Sequence, residues 1–242
     1  MLRRVWNQTH LFSRILCKIA MVLVAVCLLA CVEDDVKRGN DALRIGDFDR
    51  AVLNFSKALD VEPTNRDARY GLALAYFSIA EENEHMKVPM LDAWQRTVNE
   101  FRILSRVDSS NRVTGTYSTS LFYLARATLA KNGYADVLPL LDKSISLDST
   151  NYFSYNLKGL VLESLGRTEE AKKIFVFIVT KNPKFGSAYL NLGNIYWKEG
   201  DVESAWDIWS MGHEALPANK DLSRWTQMAE DSLKALVSAG EL

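Results

Sequence analysis

Few side chains in this sequence are suited to catalysis, metal binding or covalent modification. Cys31 is the only cysteine after residue 30, and His85 and His213 are the only histidines there. Neither histidine has a companion at metal-ligand spacing, and the chain holds no phosphate-binding glycine loop and no nucleophile elbow. A thiol, in contrast, is a nucleophile that forms covalent bonds when ionised. The sequence therefore predicts no catalytic, metal or cofactor site, and covalent modification of Cys31 is the one candidate reaction.

The segment before Cys31 has the composition of a secretory signal. Residues 1–18 carry four basic residues and no acidic residue, and residues 19–30 are an unbroken apolar run. A run of about 12 apolar residues is too short for a bilayer core of about 30 Å, which needs about 20 residues. We therefore predict that residues 1–30 are a signal peptide.

The sequence Leu28-Leu29-Ala30-Cys31 resembles a bacterial lipobox. The resemblance implies that Cys31 becomes the first residue of the mature chain and carries fatty acyl chains such as palmitate. Val32 stands where an Asp favours inner-membrane retention, so the resemblance implies anchoring to the outer membrane, facing the periplasm. The alternative is an ordinary cleaved signal, or an uncleaved anchor, with an incidental cysteine. Cys17 and Cys27 both lie in the signal, which leaves Cys31 without a disulfide partner.

The charge balance argues against two classes of partner. Residues 1–30 contain four of the 29 basic residues and none of the 30 acidic residues, so the mature chain carries a net charge of −5. A negative balance argues against a general nucleic-acid binder or a binder of anionic lipid.

A period of 34 residues organises the remainder of the chain. The clearest copy is 186–219, and 32–65 and 152–185 repeat its order, while 66–111 and 118–151 keep a degenerate form. In the clearest copy the order consists of Tyr189, Leu192, Gly193, Tyr196, Gly200, Asp201, Ala205, Trp209 and Pro217. This order resembles the tetratricopeptide repeat. The resemblance implies an all-α, right-handed superhelical solenoid of about five helix pairs over residues 31–219, with residues 220–242 as a capping helix.

Each recurring residue type has a mechanical reason. Gly39, Gly159 and Gly193, like Ala73 and Ala125 in the other copies, are predicted to let the two helices of a repeat approach closely. The glycines at 46, 166 and 200 are predicted to end the first helix of a pair, because glycine accepts a left-handed backbone. One pair cannot cover its own apolar face, so neighbouring pairs must stack.

The family resemblance also implies where a partner binds. In tetratricopeptide proteins the first helices line a groove, and carrying the family's positions across predicts a set rich in aromatic and amide side chains. A lysine that the family's carboxylate clamp requires is replaced by Val36, so we expect no such clamp. The predicted partner-binding residues are Asn40, Arg44, Tyr70, Phe77, Phe122, Arg126, Asn156, Asn194 and Trp197. Packing between neighbouring helices is the alternative role for the aromatic residues.

The second copy exceeds the template by 12 residues, around positions 81–92. The sequence there suits a contact loop between its two helices, and a long tether or an extended second helix explains it nearly as well. Together these features favour a lipid-anchored periplasmic scaffold that binds proteins in envelope, secretion or pilus assembly, without enzymatic activity. The alternatives are a carrier of an apolar small molecule in the aromatic interior and a helical hydrolase of the cell wall.

Overall fold

The computed structural model describes residues 18–22, 30–85, 91–134 and 136–239. Apart from short turns the described residues are helical, and none of them lies in a strand. Residues 18–22 are helical, and eleven longer helices follow. These helices are α1 (30–44), α2 (Phe48–Val61), α3 (Arg66–His85), α4 (Leu91–Leu104), α5 (Asn111–Asn132), α6 (Val137–Leu147), α7 (Tyr152–Ser164), α8 (Thr168–Lys181), α9 (Gly186–Lys198), α10 (Val202–Ala215) and α11 (Lys220–Ala239).

The chain divides into two compact units, unit 1 (Met1–Val113) and unit 2 (Thr114–Leu242), with the boundary inside α5. In unit 1, α2 packs against α3, and α3 packs against α4. In unit 2, each helix from α6 to α10 packs against the next helix in the sequence. Helix pairs therefore stack in chain order within each unit, and the predicted all-α fold class of tetratricopeptide type is confirmed.

In each of three pairs, a glycine on the first helix contacts an aromatic ring on the second helix. A Cβ on Gly39 would lie 2.7 Å from Phe55, and a Cβ on Gly159 would lie 2.6 Å from Phe175. A Cβ on Gly193 would lie closer still to the indole of Trp209, which is fully buried like Phe55 and Phe175. The ring in each second helix thus occupies the space that a side chain on the first helix would need, as the sequence predicts.

The turns inside the pairs follow the predicted chemistry. Gly46, Gly166 and Gly200 have φ values of 78°, 76° and 82°, in the left-handed region. After two of these turns an aspartate caps the next helix: Asp47 accepts a hydrogen bond from the N–H of Arg50, and Asp201 accepts one from the N–H of Ser204.

The last helix ends the stack of unit 2. Leu222 and Ala229 of α11 are fully buried, in a cluster with Trp209. Gln227 stands 34 residues after Gly193, at the position that must stay small if a following helix is to pack closely. The side chain of Gln227 prevents a further helix from packing closely on α11, and its amide can be exposed to water. α11 is therefore suited to its predicted role as a cap.

The second and third pairs differ from the predicted helix lengths. α3 continues to His85, so residues 81–85 of the predicted contact loop extend the first helix. The indole N–H of Trp94 donates a hydrogen bond to Glu84, at 3.2 Å, and ties this extension to α4. Residues 86–90 lie outside the described part. α5 begins at Asn111, seven residues before the predicted start of its repeat at 118.

Most of the predicted signal peptide, residues 1–30, lies outside the described part, apart from residues 18–22 and 30. Among the described residues, no helix combines the length and the apolar content that crossing a bilayer requires. Cys31 lies in the first described turn of α1, and it is exposed.

Candidate partner-binding face

In unit 1, the predicted polar residues lie at the surface. Asn40 and Arg44 are both exposed on α1. Arg44 forms a salt bridge with Asp41, 2.6 Å long, one turn earlier on the same helix. Exposed ion pairs of this kind contribute little to stability, so Arg44 is available for exchange with a partner's carboxylate.

The two predicted aromatic residues of unit 1 are engaged in packing. Tyr70 meets Phe101 edge to face, with ring centres 6.2 Å apart, and the guanidinium of Arg112 lies 3.6 Å from the centre of the Tyr70 ring. Phe77 meets the buried Trp94 edge to face at 5.4 Å. Both rings are half-buried and connect α3 with α4, which is the packing role considered for them.

In unit 2, three phenylalanines form a continuous aromatic row. The ring centre of Phe153 lies 6.0 Å from that of Phe122 and 5.3 Å from that of Phe185. Phe122 and Phe185 are half-buried, whereas Phe153 is 64% exposed. The row runs from α5 through the start of α7 to the turn before α9, so it connects two first helices with the start of a third. We call Phe122, Phe153 and Phe185 the aromatic row.

A buried polar cluster positions the start of α7 and hence Phe153. Ser144 lies in its centre: its Oγ is 2.8 Å from the carbonyl oxygen of Ser118 and 2.7 Å from Oγ of Ser154. Asn151 caps α7 by accepting a hydrogen bond from the N–H of Ser154, and it donates one to Oγ of Ser118, at 2.9 Å. These hydrogen bonds fix the positions of α5, α6 and α7 relative to one another.

Amide side chains continue the surface beside the row. Asn156 lies one turn after Phe153 on α7, and its Oδ1 accepts a hydrogen bond of 2.9 Å from Asn191 on α9. The Nδ2 of Asn156 donates no hydrogen bond within the described part of the chain, and the same holds for Asn194, one turn beyond Asn191. Both amides are half-buried, so the face presents Nδ2 donors at Asn156 and Asn194 and an Oδ1 acceptor at Asn194.

One cation lies at the end of the row. Arg126 is exposed one turn after Phe122, and its guanidinium lies 5.0 Å from the centre of the Tyr123 ring. Lys158 on α7 pairs with Asp142, and Lys198 on α9 pairs with Glu163. We call the surface formed by the aromatic row, Arg126, Asn156, Asn191 and Asn194 the first-helix face of unit 2.

Trp197 belongs to a different cluster. Its ring centre lies 5.9 Å from that of the buried Trp209, which lies 5.2 Å from Trp225 of α11. Trp197 is half-buried, so one side extends the core between α9 and α10. It therefore serves packing at least in part.

No group of three His, Cys, Asp or Glu residues in the described part is arranged to hold a metal ion. Burial raises the pKa of Tyr155, and the neighbouring Tyr152 raises it further, so this phenol next to the face stays neutral. Nothing in the described residues indicates an enzymatic activity.

Sequence reasoning missed Phe185 and Asn191 of this face, and also the neighbouring Tyr123. Phe185 follows the helix-ending Pro183 and lies in a turn, where a template built on helix positions does not look. Tyr123 and Asn191 lie next to predicted positions, and only the packing of the helices shows their contacts. The spacing of Phe153 and Phe185, 32 residues apart and close to one period, is the signal that links the latter to the row.

Comparison with known proteins supports the repeat assignment. The family model of the tetratricopeptide repeat matches residues 36–79 and 156–209. Tetratricopeptide repeat protein 6 of Homo sapiens is 25% identical over 205 residues, which are 73% of this chain and 38% of that protein. The chain thus spans well under half the length of the curated relatives it matches first.

Two solved structures share the fold. The crystal structure of MamA covers 76% of this chain and 91% of its own, with a TM-score of 0.56 at 19% identity. The structure of YrrB, described as a tetratricopeptide protein with an unusual peptide-binding site, covers 81% of this chain and 90% of its own, with a TM-score of 0.54 at 17% identity. Sequence identities this low support a shared fold and nothing more. Family match, helix pairing and glycine–aromatic contacts agree that residues 36–79 and 156–209 are tetratricopeptide repeats.

Proposed function

We propose that this chain is a non-catalytic scaffold that holds a protein partner on the first-helix face of unit 2. Tetratricopeptide repeats bury their apolar sides against one another, so what they offer to other molecules is an extended surface. We further propose that the scaffold is anchored through lipid at Cys31 to the outer membrane, faces the periplasm, and acts in envelope, secretion or pilus assembly.

The exposure of Phe153 is the observation that carries the binding proposal. Burying a phenylalanine is worth about 1.5–3 kcal/mol, so a ring left 64% exposed forgoes much of that free energy. The neighbouring rings hold Phe153 in place and make it a rigid apolar contact. An open, rigid row suits a peptide segment better than an enclosed small molecule. The peptide-binding site reported for the YrrB structure is consistent with this role.

The anchoring proposal depends on the environment of Cys31. The thiol is exposed, follows the predicted signal directly, and has no disulfide within the described chain. A lone acyl chain binds membranes only marginally, whereas several chains on one residue hold a protein stably. A lipid at Cys31 leaves α1 and the repeats free to extend from the membrane surface.

Site-specific photocrosslinking in intact cells tests the binding proposal. A photoreactive amino acid replaces Phe153, Phe122 or Trp197, and the matched control replaces Val176, which is 46% exposed on the second helix α8. We expect Phe153 and Phe122 to capture the same protein, and Val176 to capture none of it. Failure of both row positions to capture any protein would refute the scaffold proposal.

Metabolic labelling with an alkynyl fatty acid tests the anchor separately. We expect the wild-type chain to incorporate the label and fractionate with the outer membrane, and Cys31→Ala to lose both properties. Equal labelling of the two chains would remove Cys31 as the attachment site, and it would leave the binding proposal intact.

A further inference from the structure

A groove between the first two helices is separate from the first-helix face of unit 2. Its volume is about 570 Å³, which is within the range of sites that bind ligands in other proteins. Residues of α1, of α2 and of the turn between them line it, and no residue of α3 takes part. We call it the α1–α2 groove.

The charged side chains of the α1–α2 groove are mostly basic. Asp41 is the one acidic residue that lines it, whereas the basic lining residues are Arg38, Arg44, Arg50 and Lys57. Residues 31–65 as a whole contain five basic and eight acidic residues, so the groove is a basic site on an acidic helix pair. It therefore attracts a short anionic segment, whereas an extended anionic surface such as a membrane would also meet the surrounding acids.

The arginines of the groove form exposed ion pairs. Arg38 and Arg44 each pair with an aspartate about one turn earlier on α1, and Arg50 lies 3.8 Å from Asp47. The three arginine side chains are 63%, 76% and 67% exposed, and such pairs are weak, so a ligand's carboxylate can replace the aspartate. Lys57 has no ion pair within the described residues, so a carboxylate binds there without displacing another group.

A buried amide supplies a hydrogen-bond acceptor to the groove. Asn54 is only 7% exposed, and its Nδ2 donates a hydrogen bond of 2.9 Å to the carbonyl oxygen of Arg50. Its Oδ1 accepts no hydrogen bond within the described part of the chain, although most buried polar atoms have a partner. Since Asn54 lines the groove, an N–H of a ligand can satisfy this oxygen.

The groove also has an apolar part. Ile45 and Leu53 line it and are 71% and 54% exposed. An inorganic anion such as sulfate has neither an N–H donor nor an apolar group, so it would use only the cations. A peptide segment that contains acidic and aliphatic residues side by side carries a carboxylate, an N–H and an apolar side chain, and it matches all three features.

We propose that the α1–α2 groove binds a peptide segment of a protein partner in which acidic and aliphatic residues stand side by side. A carboxylate of the segment pairs with Lys57, a backbone N–H donates to Oδ1 of Asn54, and an aliphatic side chain covers Leu53. This inference goes beyond the proposed scaffold function, because the groove belongs to unit 1 and shares no residue with the first-helix face of unit 2.

Titration calorimetry on the purified full chain tests the proposal with three peptides. The probe is acetyl-Ala-Asp-Leu-Asp-Leu-Ala-amide. One comparison peptide replaces both Asp residues by Asn, and the other replaces both Leu residues by Ser. We expect the probe to bind at least about tenfold more tightly than the Asn peptide and more tightly than the Ser peptide. Its affinity should fall as sodium chloride is raised from about 50 mM to about 500 mM.

Matched variants connect binding to the groove. Lys57→Glu is expected to weaken probe binding at least about tenfold, because it replaces an attraction by a repulsion. Lys37→Glu changes the net charge equally at an exposed position of α1 outside the groove, and it is expected to bind like the wild type. Leu53→Ser is expected to weaken binding about threefold. Its control is Val61→Ser, at a position of α2 that is 45% exposed and does not line the groove.

The outcomes decide the proposal step by step. Equal affinities for the Asp and Asn peptides refute the acidic requirement, and equal affinities for the Leu and Ser peptides refute the aliphatic one. If Lys57→Glu and Lys37→Glu bind the probe equally, the α1–α2 groove is not the site. Absence of probe binding refutes the proposal, and Lys57-dependent binding to phosphatidylglycerol vesicles would then assign the groove to a lipid surface. Capture of a protein at Phe153 in cells tests the scaffold separately in every case.

Discussion

Gly159 lies so close to Phe175 that a Cβ added to the glycine would stand 2.6 Å from Cζ of that ring. The ring of Phe175 is fully buried. It extends from α8 and packs in one cluster with residues of α7 and α9, so it cannot move away from an added methyl group. The contact therefore sets the distance between the two helices of the fourth pair.

Gly159→Ala is expected to destabilise the chain by about 1–3 kcal/mol, because the added methyl group overpacks the contact with Phe175. Gly115 on α5 is the matched control, since a Cβ there would meet nothing within 4 Å. Gly115→Ala is expected to stabilise the chain by about 0.5–1 kcal/mol through helix propensity alone. Urea unfolding measures both, and destabilisation of similar size in the two variants would contradict the close-contact interpretation.

Residues with a local role were predictable from the sequence, because their task repeats with the period. Gly39, Gly159 and Gly193 recur at one template position, and each meets an aromatic residue 16 positions later. The turn glycines at 46, 166 and 200 are recognisable for the same reason. The lengths of α3 and α5 were not predictable, because the second and third copies are degenerate and a longer helix keeps the same apolar spacing.

The first-helix face was only partly predictable. Family positions located Phe122, Arg126 and Asn156, whereas Phe185 and the serine cluster came together only through packing across helices. Tyr70 and Phe77 were predicted to line the groove, because their positions match the family's binding positions. In the structure their rings pack on Phe101 and Trp94 instead. Sequence spacing defines a helix face, but it does not determine which neighbour covers it.

Asp201 makes the stability of unit 2 depend on pH. Hydrogen bonds from Ser204 lower the pKa of the Asp201 carboxyl, against a smaller opposing effect of burial, and Lys172 lowers it further. Since the folded-state pKa is depressed, the ionised cap stabilises the fold above the unfolded value of about 3.9, and this contribution is lost as the pH falls through the folded value.

Asp201→Asn is therefore expected to keep the cap and to lose less stability than the wild type on acidification below about pH 4, since asparagine caps well without titrating. Asp201→Ala is expected to cost about 1 kcal/mol at neutral pH. Asp207→Asn, at an exposed position inside α10, is the control and should follow the wild-type pH profile. Identical profiles for Asp201→Asn and the wild type would exclude this cap as a source of acid sensitivity.

The polar cluster around Ser144 is expected to stabilise unit 2. Ser144→Ala removes the central hydroxyl and leaves Ser118 and Ser154 buried with fewer hydrogen bonds, so we expect a loss of about 1–3 kcal/mol. Ser146→Ala is the matched control, because its hydroxyl is exposed and bonds only to the nearby carbonyl of Lys143. Its effect should stay within about 0.5 kcal/mol. Equal small effects of the two substitutions would show that the cluster contributes no net stability.

The most direct test of the scaffold proposal is the affinity of the captured protein for chains altered on and off the first-helix face. The dissociation constant is measured by calorimetry for the wild type, for Phe153→Ser and for Val176→Ser, whose side chain is exposed on α8. We predict that Phe153→Ser weakens binding at least about tenfold, corresponding to about 1.4 kcal/mol, while the melting temperature stays unchanged and Val176→Ser binds like the wild type. Equal affinities of Phe153→Ser and the wild type would contradict the account.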